Sequence, residues 1–482
     1  MTVHLREIGS FGDVAAEDDA VLDYFLSTNV VGKISDHSAM LVLGRKGTGK
    51  TAIVRYFTES EDNSTARSLN LRGYPWNVHS TRIDRGASEI EAYVSSWRYL
   101  IAVQLCSLIL AHPNSSRSYK SENLHNFLVD NYGDPQPELA KVLRPQKIRF
   151  SKVSITPSVM GNQLGGFEFE RKSGDYDFGL ELNALSSALM DAVCEVAHAI
   201  GVDSLGLHFD ELDQGLSRLD DKRKHMLIGL VIAARDLKRQ YTTDVLAIDP
   251  IVYLRTDIWD EIQFSDKNKI SETLAIRLNW DGEELKQLVE TRLRVKLGKT
   301  TNWDEIATTD LMRGSQTKWN HIVSRTFLRP RDVIKFLNQL LVEARQRDDD
   351  TVAFENPDII AARDTYSSYL KSELDDEVRP HWPEWEEALQ AITAIGSQNF
   401  EKAEFEREFN ARRSKSNLLS SQEALAQLYR FSVLGYERRS GYGGSSWAFA
   451  YTDPAAGWDS VATRFKVHPG LKEYTKVRES RT

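Results

Sequence analysis

The stretch AMLVLGRKGTGKTAIVRYF, residues 39–57, decides how the rest of the chain is read. An apolar run, Met40 to Leu43, leads into Gly44, Arg45, Lys46, Gly47, Thr48, Gly49, Lys50, Thr51 and Ala52, and then into the start of a helix. Glycines at 44, 47 and 49 free the backbone to turn, so that successive N–H groups converge on one anion. Lys50 adds a point charge for the β- and γ-phosphates of a nucleotide, and the Thr51 hydroxyl suits a magnesium ion. The helix that follows turns the positive end of its dipole toward the same phosphates. Strand, loop and helix in that order predict an α/β fold: a P-loop NTPase with a parallel sheet.

Working outward, SLGLHFDELDQGL (204–216) has the pattern of a buried strand, Leu205 to Phe209, that delivers Asp210 and Glu211 to its carboxyl edge. Ligands of open α/β sheets sit at that edge. Asp210 is the candidate magnesium ligand, and Glu211 the candidate base that orients and deprotonates the attacking water. His208 reads as a hydrogen-bonded core histidine and Asp213 as a helix cap. A base next to the metal acid favours ATP hydrolysis over transfer to a bound acceptor. No N-K-x-D segment for guanine and no LSGGQ signature is present.

Alternation around Ile251 to Leu254 predicts another strand, with Arg255 and Asp257 at its exit. There Arg255 would sense or stabilise γ-phosphate charge; the plainer alternative is an ion pair with a nearby carboxylate. After the strand LAIRLNW, Asp281 and Glu284 are spaced to cap a helix. In RTFLRPRDVIKFLNQLLVEAR (325–345), Pro330 fits a first helical turn, and Val333, Phe336, Leu337, Leu340 and Leu341 form a buried stripe. Arg329 and Arg331 sit at the positive end of that helix, where cations are disfavoured. Arg331 is therefore read as reaching a bound triphosphate, against the alternative of pairing with Asp332.

The 482 residues, 41% hydrophobic and 27% charged, suit two or three domains without disulfides. The expected division is an ATPase core over 1–280 with a β-rich insertion at about 112–180, a helical lid over 281–375, and a winged-helix-like domain over 383–482. Val21 to Leu26 are read as a docking helix before the first strand, and Ser88 with Glu91 as a capping box. Cys106 and Cys194 lack metal-ligand spacing and read as thiols of a reducing compartment. The acidic start excludes a secretory signal, and the run LIAVQLCSLILA is too short to span a bilayer, so a cytoplasmic protein with no membrane partner is expected. A net charge of −9 argues against global capture of nucleic acid. In the last hundred residues Arg412, Arg413, Lys415, Arg438 and Arg439 offer a conceivable DNA-facing wing. Against that, residues 383–482 hold 14 Lys+Arg and 13 Asp+Glu, which favours a packing, oligomerising or gating role.

The motifs FGDVAAEDD, GRKGTGKTA, HFDELD, YLRTDIWDEI with FSDKNK, LRPRDVI and FKVHPGLKEY together resemble a group of stand-alone bacterial P-loop ATPases. These are similar to origin-recognition-type AAA+ proteins and STAND ATPases. The resemblance implies an AAA+-like core, a helical lid, a C-terminal winged helix, ATP with Mg2+, and residence in mobile or antiviral-defence gene neighbourhoods. It matches Arg255 to a first sensor position and Arg331 to a second. Where a trans-acting arginine finger is expected, this chain has Lys267 and Lys269. The function expected is an ATPase whose cycle moves the lid and winged helix against an unknown protein partner. The alternatives are a slowly hydrolysing switch or scaffold, with a homo-oligomer as one form of it, and a DNA-binding loader.

Overall fold

The computed structural model describes residues 3–60, 64–71, 89–142, 147–149, 158–159, 162–163, 168–170, 175–212, 219–439 and 444–479. Asp213 and Ser88, read as cap residues, and much of the insertion lie outside them. The chain forms two compact units, one of residues 27–45 and 50–278, the other of 1–26, 46–49 and 279–482.

The first unit is built on a parallel sheet of β1 (Leu41–Leu43), β2 (Ala66–Asn70), β7 (Ser204–Asp210), β8 (Ala247–Leu254) and β9 (Ala275–Arg277), in the order β2-β7-β8-β1-β9. Between β2 and β7 the insertion carries short antiparallel pairs, β3 (Lys147–Arg149) with β6 (Glu168–Glu170) and β4 (Ser158–Val159) with β5 (Asn162–Gln163). It also contains a 14-residue helix, Tyr119–Tyr132, ended by Gly133 in the left-handed region, so it is less purely β than its composition suggests. Every residue of β1 and β8 is buried, as expected of parallel strands covered on both faces. Register sets the functional edge. Phe209 lies beside Val252, and Val252 beside Leu41. Two residues further on, Glu211, Leu254 and Leu43 therefore reach the same level at the carboxyl ends.

Three long helices, Glu89–Ala111, Asp175–Ile200 and Asp221–Tyr241, fill the core beside the sheet. The first is longer than the apolar run suggested. Among the described residues it is the one helix with the length and apolarity to cross a membrane, yet 78% of its most apolar window is buried inside the protein. It is a core helix. Its Trp97 donates from Nε1 to the Met226 carbonyl at 3.0 Å, and a Cβ added at Gly229 would lie 2.6 Å from Tyr93 Cβ. Glycine at 229 is what lets these two helices touch.

In the second unit, helix Gly282–Leu297 is capped by Asp281 and Glu284 in both directions, as their spacing predicts. Helix Pro330–Arg347 buries the expected stripe, and helix Asn356–Val378 packs against it. Val21–Tyr24 is only a 3₁₀ turn, not the expected docking helix. The preceding FGD motif is instead tied into this unit. Phe11 N–H donates to Asn338 Oδ1 at 2.7 Å, Asn338 Nδ2 donates to the Gly12 carbonyl at 2.8 Å, and Arg292 Nη1 donates to the Phe11 carbonyl at 2.8 Å. Further on come helices Glu386–Ile395, Lys402–Arg412 and Ser421–Arg430 with an antiparallel sheet. Its strands β10 (Asn399–Glu401), β11 (Leu434–Arg439), β12 (Ser445–Ala448) and β13 (Arg464–Val467) are ordered β10-β13-β11-β12.

Candidate functional site

In the first unit the two flanks of the loop meet the acids of β7. β1 hands the chain to Gly44, whose N–H donates to the Leu254 carbonyl at 3.2 Å. Helix Lys50–Glu59 starts directly after the glycines. Lys50 Nζ donates to the carbonyls of Gly44 at 3.0 Å and Arg45 at 3.1 Å. The Thr51 hydroxyl donates to Asp210 Oδ2 at 2.8 Å. A hydroxyl and a carboxylate brought together in this way, both hard oxygen donors, fit a magnesium ion. Glu211 comes next, 6% exposed and at φ +58. A non-glycine residue in the left-handed region costs about 1–2 kcal/mol, and here that strain turns the chain sharply at the end of a central strand.

The neighbours are fixed by aromatic packing and ion pairing. His208 donates or accepts at Nδ1 with the Tyr253 hydroxyl at 2.9 Å and is stacked between Phe57 and Tyr253. Burial pushes its pKa down to about 3, so the ring is neutral, the core histidine that the sequence suggested. Arg255, 7% exposed, grips Asp257 with Nε at 3.0 Å and Nη2 at 2.7 Å. This is the ion pair weighed as the alternative to phosphate sensing.

In the second unit the middle of the loop, Lys46–Gly49, is held by its carbonyls. Arg329 Nη1 donates to the Lys46 carbonyl at 3.0 Å, the Arg331 N–H to the Gly47 carbonyl at 3.3 Å, and Trp280 Nε1 to the Thr48 carbonyl at 2.8 Å. Counting the two bonds from Lys50, five consecutive carbonyls from Gly44 to Thr48 each accept a hydrogen bond. Gly47 and Gly49, at φ +80 and +99, supply the left-handed turns; Gly44 is not in that region. At Gly47 a side chain would also meet Arg331, whose Cβ stands 2.9 Å from the added Cβ.

Arg329 is fully buried and binds Asp332 through Nε at 2.8 Å and Nη2 at 3.0 Å, with Glu377 on Nη1. Burial opposes its charge, but Asp332 and Glu377 outweigh that and hold its pKa well above the usual value. Lys46 Nζ reaches Asp376 at 2.5 Å and Glu373 at 3.5 Å.

The structure thus brings Thr51, Asp210 and Glu211 to one edge, and corrects two details of the arginine reading. The Asp332 partner is Arg329, not Arg331. The Arg331 side chain donates from Nε to the Val14 carbonyl at 3.0 Å and pairs with Glu373 at 3.3 Å. Sequence reasoning passed over Trp280 and Glu377 and noted Arg329 only as a misplaced charge. That misplacement was the usable signal, because a cation at a helix N-terminus needs acids to hold it. Cys106 and Cys194 are unpaired, and burial raises both thiol pKa values, that of Cys194 to about 11 with help from Asp191.

Sheet order, loop and edge acids together make a P-loop NTPase core. Among known proteins, the model of the FunZ-associated C-terminal helical domain matches residues 283–375, the stretch read from sequence as a helical lid. A putative transposon gamma-delta 80.3 kDa protein of Escherichia coli K12 is 23% identical over 410 residues, covering 80% of this chain and 53% of its own. The chain therefore spans about half the length of that curated relative. A Walker-type ATPase of Pyrococcus abyssi is similar at 13% identity and a TM-score of 0.38, over 92% of this chain and 97% of that one. Cdc6p from Pyrobaculum aerophilum is similar at 12% identity and a TM-score of 0.29, over 91% and 86%. Scores this low leave the fold resting on the sheet and the loop themselves.

Proposed function

We propose that this protein is an ATP hydrolase that binds Mg-ATP at Gly44–Thr51 and uses Glu211 as the base for the attacking water. One observation carries the reading: the Thr51 hydroxyl lies 2.8 Å from Asp210, and Glu211 follows directly on the same sheet edge. Thr51 and Asp210 would hold the magnesium ion, which when bound neutralises charge on the β- and γ-phosphates. The loop N–H groups and Lys50 bind the phosphates, the Lys50 amine exchanging its carbonyl partners for phosphate oxygens. Glu211 takes a proton from water as the oxygen attacks the γ-phosphorus, and ADP leaves. Arg255 and Arg331 would act only after releasing Asp257 and Glu373, so their roles as phosphate sensors carry a switching cost that Glu211 does not.

We further infer that the helix, strand, two-helix and hairpin order of the C-terminal part is a winged helix serving as the output module. Its partner is read as a protein rather than DNA, because Arg438 is paired with Asp453, Arg464 with Glu437, and Arg412 with Glu408. The tie to mobile or defence genes rests on the motif resemblance and on the transposon name of the Escherichia coli relative. Phosphate release by Glu211→Gln tests the core claim. Loss of a base of this kind is expected to slow turnover about 100-fold or more while ATP stays bound. Turnover within a factor of two of wild type would remove Glu211 from the mechanism.

A further inference from the structure

Away from the phosphate loop, the second unit holds two guanidinium groups, those of Arg325 and Arg363, with no carboxylate at ion-pair distance among the described residues. Arg325, just after helix Lys318–Val323, is 5% exposed, and His321 within that helix is 4% exposed. Arg325 Nη1 donates to the His321 carbonyl at 3.3 Å, and Arg363, on helix Asn356–Val378, meets His321 Nε2 with Nη2 at 2.6 Å. A ring nitrogen that accepts from a guanidinium belongs to a neutral imidazole, whose proton sits on Nδ1, 3.2 Å from Gln316 Oε1. Burial, with Arg325, Arg363 and Lys472 nearby, holds His321 in that form by pushing its pKa down to about 3.

Both guanidinium groups keep a buried Nε without a hydrogen-bond partner, and among the described residues neither has a carboxylate within ion-pair distance. The acids that face them are otherwise placed. Glu479 is bonded to Lys472 at 2.6 Å and lies 3.5 Å from Arg313. Glu473 has its own Oε2 buried without a hydrogen-bond partner. Burial, and then Arg363, lower the Arg325 pKa to about 10 despite those two acids. A buried guanidinium and a half-buried one brought together with no carboxylate at ion-pair distance among the described residues are costly, and each unused Nε–H is a donor that an added oxyanion would satisfy.

We propose that Arg325 and Arg363, with Lys472 at the rim, form a site for a small tetrahedral oxyanion, a free phosphate or the terminal phosphate of a monoester. A planar guanidinium suits phosphate oxygens. The burial of Arg325 suits a small ion rather than a duplex backbone. The site joins helix Lys318–Val323, helix Asn356–Val378 and the chain around Lys472, so an occupant would brace the C-terminal part against the helices.

The test is the melting temperature of the full chain against inorganic phosphate, and separately glycerol phosphate, each compared with chloride at equal ionic strength. The Lys50→Ala background removes the nucleotide site from the reading. A saturable rise of about 2–4 °C at tenfold excess over the dissociation constant is expected, absent in Arg363→Gln and enlarged in Glu473→Gln. A stronger response to the ester assigns a monoester, and an equal or weaker one assigns free phosphate. No phosphate-specific rise in the Lys50→Ala protein, or one that survives Arg363→Gln, overturns the site. A rise seen only with Glu473→Gln overturns it too, and makes Glu473 the built-in counter-ion.

Discussion

At the scale of single residues, the candidate site is shaped by groups bonded to the loop carbonyls. Arg329 and Trp280 fix loop carbonyls from behind, which leaves the loop N–H groups for phosphates; both are positioning residues. Arg329→Lys keeps a positive charge but loses the planar fork that binds Asp332, Glu377 and the Lys46 carbonyl together. Asp332 is fully buried, so the substitution is expected to cost about 3–5 kcal/mol in urea unfolding. A loss below 1 kcal/mol would show that the ion network is not what holds this loop. Trp280→Phe removes one donor and keeps the ring. ATP affinity is then expected to fall about tenfold, the value of one hydrogen bond near 1.4 kcal/mol.

At the scale of elements, close packing sets the tolerance of the core. Gly229→Ala puts a methyl group 2.6 Å from Tyr93 Cβ, with Tyr93 backbone carbon at 3.2 Å. The helices must part, and a loss of about 1–3 kcal/mol is expected on unfolding. A neutral or stabilising result, as alanine gives in an ordinary exposed helix, would mean the contact is looser than drawn.

The contrast between Asp281 and Val21 shows what the sequence made legible. The strands flanking the loop, the Asp281 cap and the Val333–Leu341 stripe are local signals, since capping and burial periodicity act within a few residues of the chain. Val21 to Leu26 carried an apolar helical spacing as well. There the segment just before it is fixed by long-range bonds, with Asp19 on Arg292 at 2.9 Å and the FGD motif on Asn338, and Val21–Tyr24 forms only a 3₁₀ turn. The carbonyl clamp on the loop was hidden for the same reason, because Trp280 and Arg329 lie more than two hundred residues from Lys46. The wing can be tested at this scale too. Arg438→Glu with Arg439→Glu is expected to leave ATP turnover in the presence of duplex DNA unchanged. Loss of a salt-sensitive DNA-stimulated rate would reverse the reading of the module.

At the scale of the whole molecule, each unit buries a histidine that must stay neutral. His208 in the first and His321 in the second both have folded pKa values near 3, against an ordinary value of 6.5. Burial is the leading cause in each, and neighbouring cations add to it at His321. Because both values are lowered, the unfolded chain binds more protons than the folded one between pH 3 and 6.5. Their contribution is therefore complete above about pH 6.5 and disappears as pH falls toward 3. Each such proton is worth about 1.4 kcal/mol per pH unit within that window. His208→Gln leaves an uncharged polar group beside the Tyr253 hydroxyl and removes the titration. Its stability at pH 7 should drop, but the slope between pH 6 and 4 should be shallower than wild type by about 1.4 kcal/mol per unit for the unit that contains it. Unfolding followed by tryptophan emission at each pH gives that slope. Parallel wild-type and variant curves would mean that His208 is already charged in the folded protein, and that the stacked, Tyr253-bonded ring beside Asp210 and Glu211 is not neutral as drawn.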